Sequence, residues 1–596
     1  MSLLEIENLR LDIGDTPILK DIDLTIKQGE VMGLVGESGS GKSMTALTVM
    51  QLLPEAARAQ GRITFDGIDI LSAPEAAMNK LRGDDIGMVF QEPMTALNPV
   101  KTIGEQVAEG IRWHTGANRA DAEQTARQIL DRVGLPEAKF PLARYPHELS
   151  GGQRQRVVIA IACALKPKLL IADEPTTALD VVLQQQILEL LRDLVDERKM
   201  GLLLISHDLA VVADMADRIT IMRHGEVIED GETARTLSEQ VHPYTRQLAQ
   251  ASMHVPKRKR YVTAATPPTP SHKGEGDLEA SVPTATLTPS VSVSESPSPL
   301  WGSEGRARQA ARPGRGGGNG EGSSPLLSVE NVIRDYPGRR TSLFRKPAPF
   351  RAVDGVSFSL RAGQSVALVG RSGCGKSTLA RMVLALDRPT EGAIRLDGAQ
   401  VSALDEDALK PHRRKMQVVF QDPYGSFNPR HKVERLVAEP LHLLEKKPSA
   451  AERREMVADA LHEVGLQPRD MDKYPHEFSG GQRQRISIAR AIITRPRLVV
   501  ADEPVSALDV SIRAQVLDLF ADLNDRLGVA YLFITHDLTV ARAITDEVMV
   551  MHEGRIVEEG KTGEVLDHPQ SDAAKALVAA APDLHRALNR RLAEQG

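Results

Sequence analysis

Cysteine and aromatic residues are scarce in this chain of 596 residues. It has two cysteines, Cys163 and Cys374, and Phe, Trp and Tyr make up only 3% of its residues. Two cysteines cannot build a disulfide framework, which argues against a small secreted, disulfide-stabilised protein. A net charge of −6 with so few aromatic residues also argues against a dedicated nucleic-acid-binding surface, which is usually basic and often aromatic.

Long apolar runs are missing as well. The longest of them, such as VVIAIACAL from Val157, fall well short of the roughly 18 apolar residues that a membrane-spanning helix needs. The first residues also lack the charged and apolar regions of a secretory signal. We therefore expect a protein that does not cross the bilayer and works on the cytoplasmic side of the membrane.

The chain contains an internal duplication. The string GESGSGKS at Gly36 recurs as GRSGCGKS at Gly370, and the motifs after each copy follow in the same order. A glycine-rich loop of this pattern directs its backbone N–H groups at a polyphosphate, and its lysine reaches the outer phosphates. The repeat therefore predicts two nucleoside-triphosphate sites. Three pairs of later motif residues lie 329 positions apart: Ser150 and Ser479, Asp173 and Asp502, His207 and His536.

The composition divides the chain into three parts. Pro, Gly, Ser and Thr supply more than half of the residues from Ala264 to Pro325, and no helical or strand periodicity appears there. Such a segment is typical of a disordered linker. We therefore predict a first domain over residues 1–250, a linker over 251–326 and a second domain over 327–596.

Each half has the sequence pattern of an α/β fold. VMGLVG precedes the first glycine-rich loop, and KLLIADEP and GLLLISHD are typical of buried parallel strands. The stretch ADAEQTARQILDRV from Ala120 predicts a helix, in a region rich in helical patterns. We expect a central sheet with a separate helical lobe in each half.

Both halves resemble ATP-binding cassette (ABC) ATPases, motif by motif and over nearly their whole length. The resemblance rests on the two glycine-rich loops, on IADEP and VADEP, on the strand-end histidines of LLLISHD and LFITHD, and on YPHELSGGQRQR and YPHEFSGGQRQR. It implies a RecA-like core, an antiparallel β subdomain and a helical lobe in each half. It also implies ATP and Mg²⁺ as the ligands.

The resemblance gives the glycine-rich loops their roles. Lys42 and Lys376 would hold the β and γ phosphates, and Ser43 and Ser377 would ligate Mg²⁺. The other loop positions expected to contact the nucleotide are Gly36, Ser38, Gly39, Gly41 and Met44 in the first half, and Gly370, Ser372, Gly373, Gly375 and Thr378 in the second.

The catalytic groups follow from the same resemblance, and adjacent acids after an apolar strand suit a buried metal and a base. Asp173 and Asp502 would support Mg²⁺, and Glu174 and Glu503 would polarise the attacking water. His207 and His536 would contact the γ-phosphate. Gln91 and Gln421 would approach the metal and the water, and their loops would touch a transmembrane partner.

The third motif would complete the site of the opposite half. A Ser-Gly-Gly turn at a helix N-terminus is a second phosphate cradle. The resemblance therefore implies that ATP lies between the glycine-rich loop of one half and this turn of the other, in a head-to-tail pairing within one chain. The residues involved are Ser150, Gly151, Gly152 and Gln153 in the first half, and Ser479, Gly480, Gly481 and Gln482 in the second.

Two positions suggest that the sites differ. Tyr336 fits the place of the aromatic residue that stacks on adenine, whereas Ile13 occupies that place in the first half. We therefore expect weaker ATP binding at the Lys42 site. Cys374 lies beside a lysine at a helix start, and such surroundings favour a thiolate; the alternative is a small residue that merely fits the loop.

Further motifs resemble one group of ABC proteins, the ATPases of peptide importers. The segment VHPYTRQLAQASMHVP resembles their C-terminal extension, and QEPMTALNP and QDPYGSFNP match their glutamine loops. In the second half, HPQS replaces HPYT, so that extension looks degenerate. The resemblance implies two separate permease chains and an external solute-binding protein as partners, and no nucleic acid. An exporter ATPase, and a tandem ABC protein acting on ribosomes or DNA, remain the alternatives.

Overall fold

The computed structural model describes residues 2–91, 96–177, 179–256, 324–337, 349–422, 425–506 and 508–595. Nearly all of the predicted linker therefore lies outside the described residues, as do parts of both glutamine loops. The two halves of the chain form one compact unit, Met1–Lys259 with Ser324–Gly596. Among the described residues, no helix is long and apolar enough to span a membrane.

The described residues of the first half contain ten strands, nine α-helices with defined bounds and one 3-10 helix (Pro146–Glu148). The strands are β1 (Ser2–Ile13), β2 (Thr16–Lys27), β3 (Val31–Val35), β4 (Ala57–Phe65), β5 (Ile68–Asp69), β6 (Ile86–Val89), β7 (Leu169–Asp173), β8 (Gly201–Ser206), β9 (Arg218–Arg223) and β10 (Glu226–Glu232). The helices are α1 (Lys42–Val49), α2 (Glu75–Leu81), α3 (Ile103–Thr115), α4 (Arg119–Arg132), α5 (Gly151–Cys163), α6 (Val181–Arg198), α7 (Leu209–Met215), α8 (Thr233–Glu239) and α9 (Pro243–Ser252).

The second half repeats this order. Its strands are β11 (Leu327–Tyr336), β12 (Phe350–Leu360), β13 (Ser365–Val369), β14 (Glu391–Leu396), β15 (Met416–Val419), β16 (Leu498–Asp502), β17 (Ala530–Thr535), β18 (Glu547–His552) and β19 (Arg555–Lys561). Its helices are α10 (Lys376–Val383), α11 (Glu406–Lys415), α12 (Val433–Val437), α13 (Ala450–Glu463), α14 (Gly480–Ile492), α15 (Val510–Leu527), α16 (Leu538–Ile544), α17 (Thr562–Asp567), α18 (Asp572–Ala580) and α19 (Leu584–Gln595).

Each half has two sheets, as the resemblance implies. The six-stranded sheet of the first half has the order β10-β9-β3-β8-β7-β6, and that of the second half has the order β19-β18-β13-β17-β16-β15. Five strands of each are parallel, and the outermost, β10 or β19, is antiparallel. The strands next to the glycine-rich loops are wholly buried, which fits a sheet covered on both faces. The smaller sheets, β2-β1-β4-β5 and β12-β11-β14, are antiparallel.

The C-terminal extensions hold the two halves together. In the first half, α9 continues to Ser252, two residues beyond the predicted domain boundary, and His254 pairs with Asp518 on α15 at 2.8 Å. In the second half, Leu584 and Ala587 on α19 join the hydrophobic core of the first half. Each extension therefore packs on the opposite half.

The second extension is less degenerate than its sequence indicates. Glu229 on β10 accepts a hydrogen bond from the Thr245 hydroxyl, and the matching Glu558 accepts one from the Ser571 hydroxyl at 2.7 Å. Serine and threonine both carry a hydroxyl donor, so the hydrogen bond to the glutamate is kept in the second half although Gln570 replaces Tyr244. The extension that looks degenerate in sequence therefore still forms helices, and the last of them reaches the first half.

Candidate active sites

The carboxyl ends of three neighbouring strands form each site. In the first half, β3 pairs with β8, which pairs with β7, all in parallel. The glycine-rich loop after β3, Glu174 after β7 and His207 after β8 therefore meet at one edge of the sheet. The same order, β13-β17-β16, groups the Gly370 loop, Glu503 and His536. This grouping is the one that the motif order and the strand pattern predict.

The lysine of each loop is held inside the loop. Lys42 begins α1, and its Nζ donates to the carbonyl oxygens of Gly36 and Glu37 at 2.7 and 2.9 Å. Lys376 donates to Gly370 and Arg371 at 2.7 and 3.1 Å. Burial lowers the pKa of Lys42, against the opposing charges of nearby carboxylates such as Glu174. The hydrogen bonds thus hold the side-chain nitrogen of each lysine at the N-terminus of a helix, the arrangement expected of a polyphosphate site.

Glycine is required where each loop leaves its strand. A Cβ on Gly36 would lie 2.3 Å from the carbonyl oxygen of Met222, and a Cβ on Gly370 would lie 2.3 Å from that of Met551. Both obstacles are backbone atoms, which cannot move aside as a flexible side chain could. The first glycine of each motif is therefore fixed by the close approach of β9 or β18.

Glu174 is the centre of a hydrogen-bonded cluster. Its carboxylate lies 3.1 Å from Nδ1 of His207 and accepts bonds from Gln91 Nε2 at 3.2 Å and Thr177 Oγ1 at 2.9 Å. Burial alone would raise the pKa of Glu174, but the hydrogen bond and charge of His207 outweigh it and bring the value to about 2. The predicted catalytic glutamate, histidine and glutamine are therefore brought together, with Thr177 as a partner that the sequence reasoning missed.

The second half repeats this cluster around Glu503. Nδ1 of His536 lies 2.9 Å from its carboxylate, and Gln421 Nε2 donates to it at 2.6 Å. Burial again works against ionisation, and the interaction with His536 lowers the pKa of Glu503 all the same. The two clusters therefore present equivalent ionised carboxylates.

Both glutamates have a backbone conformation that L-residues seldom adopt. Glu174 has φ 47° and Glu503 has φ 45°. Each backbone N–H donates to the neighbouring strand, at 3.0 Å to Ile205 and 2.8 Å to Ile534. Left-handed conformations of non-glycine residues cost free energy and concentrate at functional sites. The fold therefore holds these two carboxylates in place at the expense of local strain.

The first aspartate of each acidic pair suits a cation. Asp173 is 5% exposed, and its Oδ1 has no hydrogen-bond partner within the described part of the chain, while the Ser43 hydroxyl bonds to the same side chain. Burial raises the pKa of Asp173, and it raises that of Asp502 to about 6. A divalent cation would reverse both shifts. The described residues contain no group of three or more His, Cys, Asp or Glu side chains that could hold a metal.

The Ser-Gly-Gly turns form helix caps. The N–H of Ser150 donates to Gln153 Oε1 at 2.9 Å, and the N–H of Gln153 donates back to the Ser150 hydroxyl at 3.4 Å. Ser479 and Gln482 form the same reciprocal pair at 3.0 and 3.4 Å. Both serines are exposed at the N-termini of α5 and α14. Each turn is thus a preformed and accessible helix N-terminus.

Two aspartates that the sequence reasoning did not single out link each glycine-rich loop to the opposite half. Asp509, at the start of α15, accepts a hydrogen bond from the N–H of Ser38 at 2.8 Å. Asp180, at the start of α6, accepts one from the N–H of Ser372 at 3.0 Å. The recurring LDV of TTALDV and VSALDV, shortly after each acidic pair, was the available signal. Each half therefore touches the glycine-rich loop of the other, in a head-to-tail manner.

Two further predicted residues have defined surroundings. The Tyr336 hydroxyl donates to Asp387 at 2.8 Å, and the Arg334 guanidinium lies 4.6 Å from the centre of its ring. Cys374 is 7% exposed, and burial raises its pKa despite the nearby Lys376 ammonium. Of the two interpretations of Cys374, a thiolate and a small residue that fits the loop, this burial favours the second, because loss of solvent outweighs the lysine charge.

The chain is similar in sequence to a family model and to several known proteins. A family model described as "ABC transporter" matches residues 19–177 and 353–506. The chain is 44% identical over 574 residues to the peptidoglycan transport ATP-binding protein YejF of Agrobacterium fabrum (strain C58 / ATCC 33970), covering 95% of this chain and 94% of that protein. It is 42% identical over 595 residues to the glutathione import ATP-binding protein GsiA of Escherichia coli (strain K12), covering 98% and 90%. A solved structure of the ATP-binding cassette MJ0796 bound to ADP and Pi is 30% identical and covers 40% of this chain and 99% of that one, with a TM-score of 0.36.

Proposed function

This chain belongs to the ABC transporter family and is an ATPase, and from that premise we propose that it is the energy-coupling subunit of an importer for small peptides or related solutes. The supporting observation is that two whole catalytic sets occur in one chain and that each half contacts the loop of the other. The relatives named for peptidoglycan transport and glutathione import match along nearly their full length.

In this proposal the chain's own groups do the following work at each site. Lys42 and Lys376 hold the outer phosphates, and Ser43, Asp173, Ser377 and Asp502 hold Mg²⁺, with Gln91 and Gln421 beside it. Bound Mg²⁺ would neutralise phosphate charge during hydrolysis. Glu174 and Glu503 orient water, and each is itself oriented by its histidine. The Ser-Gly-Gly turns of the opposite halves supply N–H groups that close each site.

Work on a solute requires partners that cross the membrane. We propose two permease chains that bind this protein peripherally at the cytoplasmic face, next to the two glutamine loops, and a solute-binding protein outside. Hydrolysis would reset the closed pair of ATPase halves, and the glutamine loops would carry that change to the permeases. Substrate choice would then be made by the partner chains.

Purification from native membranes tests the proposal. The full-length tagged protein should retain two permease chains, and in proteoliposomes the assembled complex should take up labelled dipeptide, glutathione or a muropeptide when ATP is supplied on the side of this chain. Movement of the label in the opposite direction would indicate an exporter. Retention of ribosomes or DNA in place of permeases would contradict the transport role.

A further inference from the structure

The HPYT turn of the first extension is fixed to the sheet before it reaches the site. Glu229 on β10 accepts the backbone N–H groups of Val241 and His242 at 3.3 and 3.2 Å, in addition to the Thr245 hydroxyl. His242 caps α9 by accepting the N–H of Tyr244 on Nδ1 at 3.1 Å. These bonds set the direction of Tyr244, the remaining residue of the motif.

Tyr244 points into the molecule at the glycine-rich loop. It is 2% exposed, and the Arg223 guanidinium lies 4.5 Å from the centre of its ring. Its hydroxyl accepts the backbone N–H of Glu37 at 3.4 Å. Burial, followed by the charge of Glu37, raises the pKa of Tyr244 to about 12, so the hydroxyl keeps its proton at physiological pH. The extension therefore contacts the second residue of GESGSGKS.

The same glutamate is held from the opposite half. The Ser511 hydroxyl donates to the carboxylate of Glu37, and Asp509 accepts the N–H of the next residue, Ser38. Ser511 and Asp509 lie at the start of α15, and His254, just after α9, pairs with Asp518 on the same helix. The extension thus contacts the glycine-rich loop of its own half and also α15, the helix of the second half that bonds to that loop.

The duplicated half lacks all three members of this arrangement. Gln570 takes the place of Tyr244, Arg371 takes the place of Glu37, and Val182 takes the place of Ser511. The Gln570 side chain is exposed and donates to the carbonyl oxygen of His568 at 2.7 Å. The three residues therefore occur together at one site and are replaced together at the other, which indicates that they act as a set.

We propose that Tyr244 is a positioning residue of the Lys42 site, which fixes Glu37 where Ser511 and Asp509 of the second half meet the loop. The inference rests on the proposed role of Lys42 in binding ATP. In this inference the extension acts at one site only, where it holds the glycine-rich loop in the conformation that contacts the opposite half.

Single-site binding tests this inference in the full-length chain. With Lys376→Ala present, a fluorescent ATP analogue reports the Lys42 site, and there Tyr244→Phe should weaken binding about five-fold, the typical effect of one lost hydrogen bond. With Lys42→Ala present, Tyr244→Phe should leave binding at the Lys376 site unchanged. Tyr531→Phe removes the hydroxyl of a buried tyrosine in the strand core of the second half and serves as the matched control. Unchanged affinity at the Lys42 site, or equal losses at both sites, would overturn the inference.

A second variant does not touch the extension. Ser511→Ala should also weaken binding at the Lys42 site alone, and combined with Tyr244→Phe it should cost less than the product of the two separate effects, because both groups act on Glu37. Independent, multiplicative losses would contradict the shared role. Unaltered binding in Ser511→Ala would do so as well. If Lys42 did not bind ATP at all, Lys42→Ala would leave affinity unchanged, and the proposed function itself would fail first.

Discussion

Asp509 of the second half accepts a hydrogen bond at 2.8 Å from the backbone N–H of Ser38 in the glycine-rich loop of the first half. The loop and the aspartate are 471 residues apart in sequence. Its counterpart, Asp180 with Ser372, runs in the reverse direction at 3.0 Å. Each half therefore contacts the other half's glycine-rich loop through a carboxylate at the start of a helix.

Removing these carboxylates should lower the ATPase rate and the cooperativity between the two sites. We expect Asp509→Ala and Asp180→Ala each to lower the ATPase rate at least ten-fold, because the loop of one half loses the bond that aligns it with the other half. Steady-state hydrolysis as a function of ATP concentration measures this, and the apparent cooperativity should fall as well. Asp518→Ala, further along α15, removes a different contact between the halves, the one with His254, and serves as the control. Full activity and cooperativity in both aspartate variants would refute the coupling.

The histidine–glutamate pairs predict a pH dependence of stability. His207 has its pKa lowered by burial and raised more strongly by Glu174, so the net shift is upward from 6.5, whereas Glu174 is shifted from 4.5 to about 2. The stabilisation from the histidine is fully present below pH 6.5 and is lost as pH rises through its folded pKa. That from the glutamate is present above pH 4.5 and is lost as pH falls towards 2. The pair therefore stabilises the fold most between pH 4.5 and 6.5.

Melting temperatures at pH 6 and pH 8.5 check the direction of this change in stability. The protein should melt lower at pH 8.5 than at pH 6, by about 2–4 °C for each kcal/mol lost in a domain of this size. His207→Asn with His536→Asn should reduce that difference. A double variant with the pH dependence of the natural chain would show that other groups are responsible.

The last helix should stabilise the segment that follows a catalytic histidine. Arg590 on α19 pairs with Asp214 at 2.7 Å, and Arg591 donates to the carbonyl oxygen of Ala213. Both acceptors lie at the end of α7, the helix that begins just after His207. Cations at a helix C-terminus stabilise it by roughly 0.3–1 kcal/mol each, so Arg590→Ala with Arg591→Ala should speed hydrogen exchange in α7 several-fold.

Arg586 provides the control for this experiment. It lies on the same helix but bonds to carbonyl oxygens of its own half, those of Ala579 and Ala581. Arg586→Ala should therefore leave exchange in α7 unchanged. If Arg586→Ala sped hydrogen exchange in α7 as much as the double variant does, α19 would affect α7 only by stabilising the whole fold.

Tyr336 should set the difference in nucleotide affinity between the sites. Its ring is oriented by Arg334 and Asp387, whereas the first half has Ile13 in the matching place. Stacking of a base on an aromatic ring contributes about 1–3 kcal/mol, so Tyr336→Leu should weaken ATP at the Lys376 site roughly five-fold or more. Binding measured with Lys42→Ala isolates that site, and Lys376→Ala provides the comparison. An affinity that Tyr336→Leu leaves untouched would exclude stacking at this residue.

The sequence was sufficient to predict which side chains meet at each site, because their positions depend on local patterns. A buried run followed by DEP places Glu174 at a strand end, and the repeat places Glu503 in the same way. Asp180 and Asp509 were visible as a repeated LDV, but nothing local shows that their bonds cross to the other half. The contact between Tyr244 and Glu37 could not be read from sequence, since it depends on how an extension 207 residues away folds back. The second extension looked degenerate because Gln570 replaces the tyrosine, although Ser571 still donates its hydroxyl to Glu558.

The central claim is that each ATP site is completed by the opposite half, and one structure tests it most directly. The full-length chain carrying Glu174→Gln and Glu503→Gln should bind Mg²⁺ and ATP without turnover, and its experimental structure would show what surrounds each nucleotide. We expect Ser479 to lie against the γ-phosphate held by Lys42, and Ser150 against that held by Lys376. A nucleotide enclosed by groups from a single half would contradict the account.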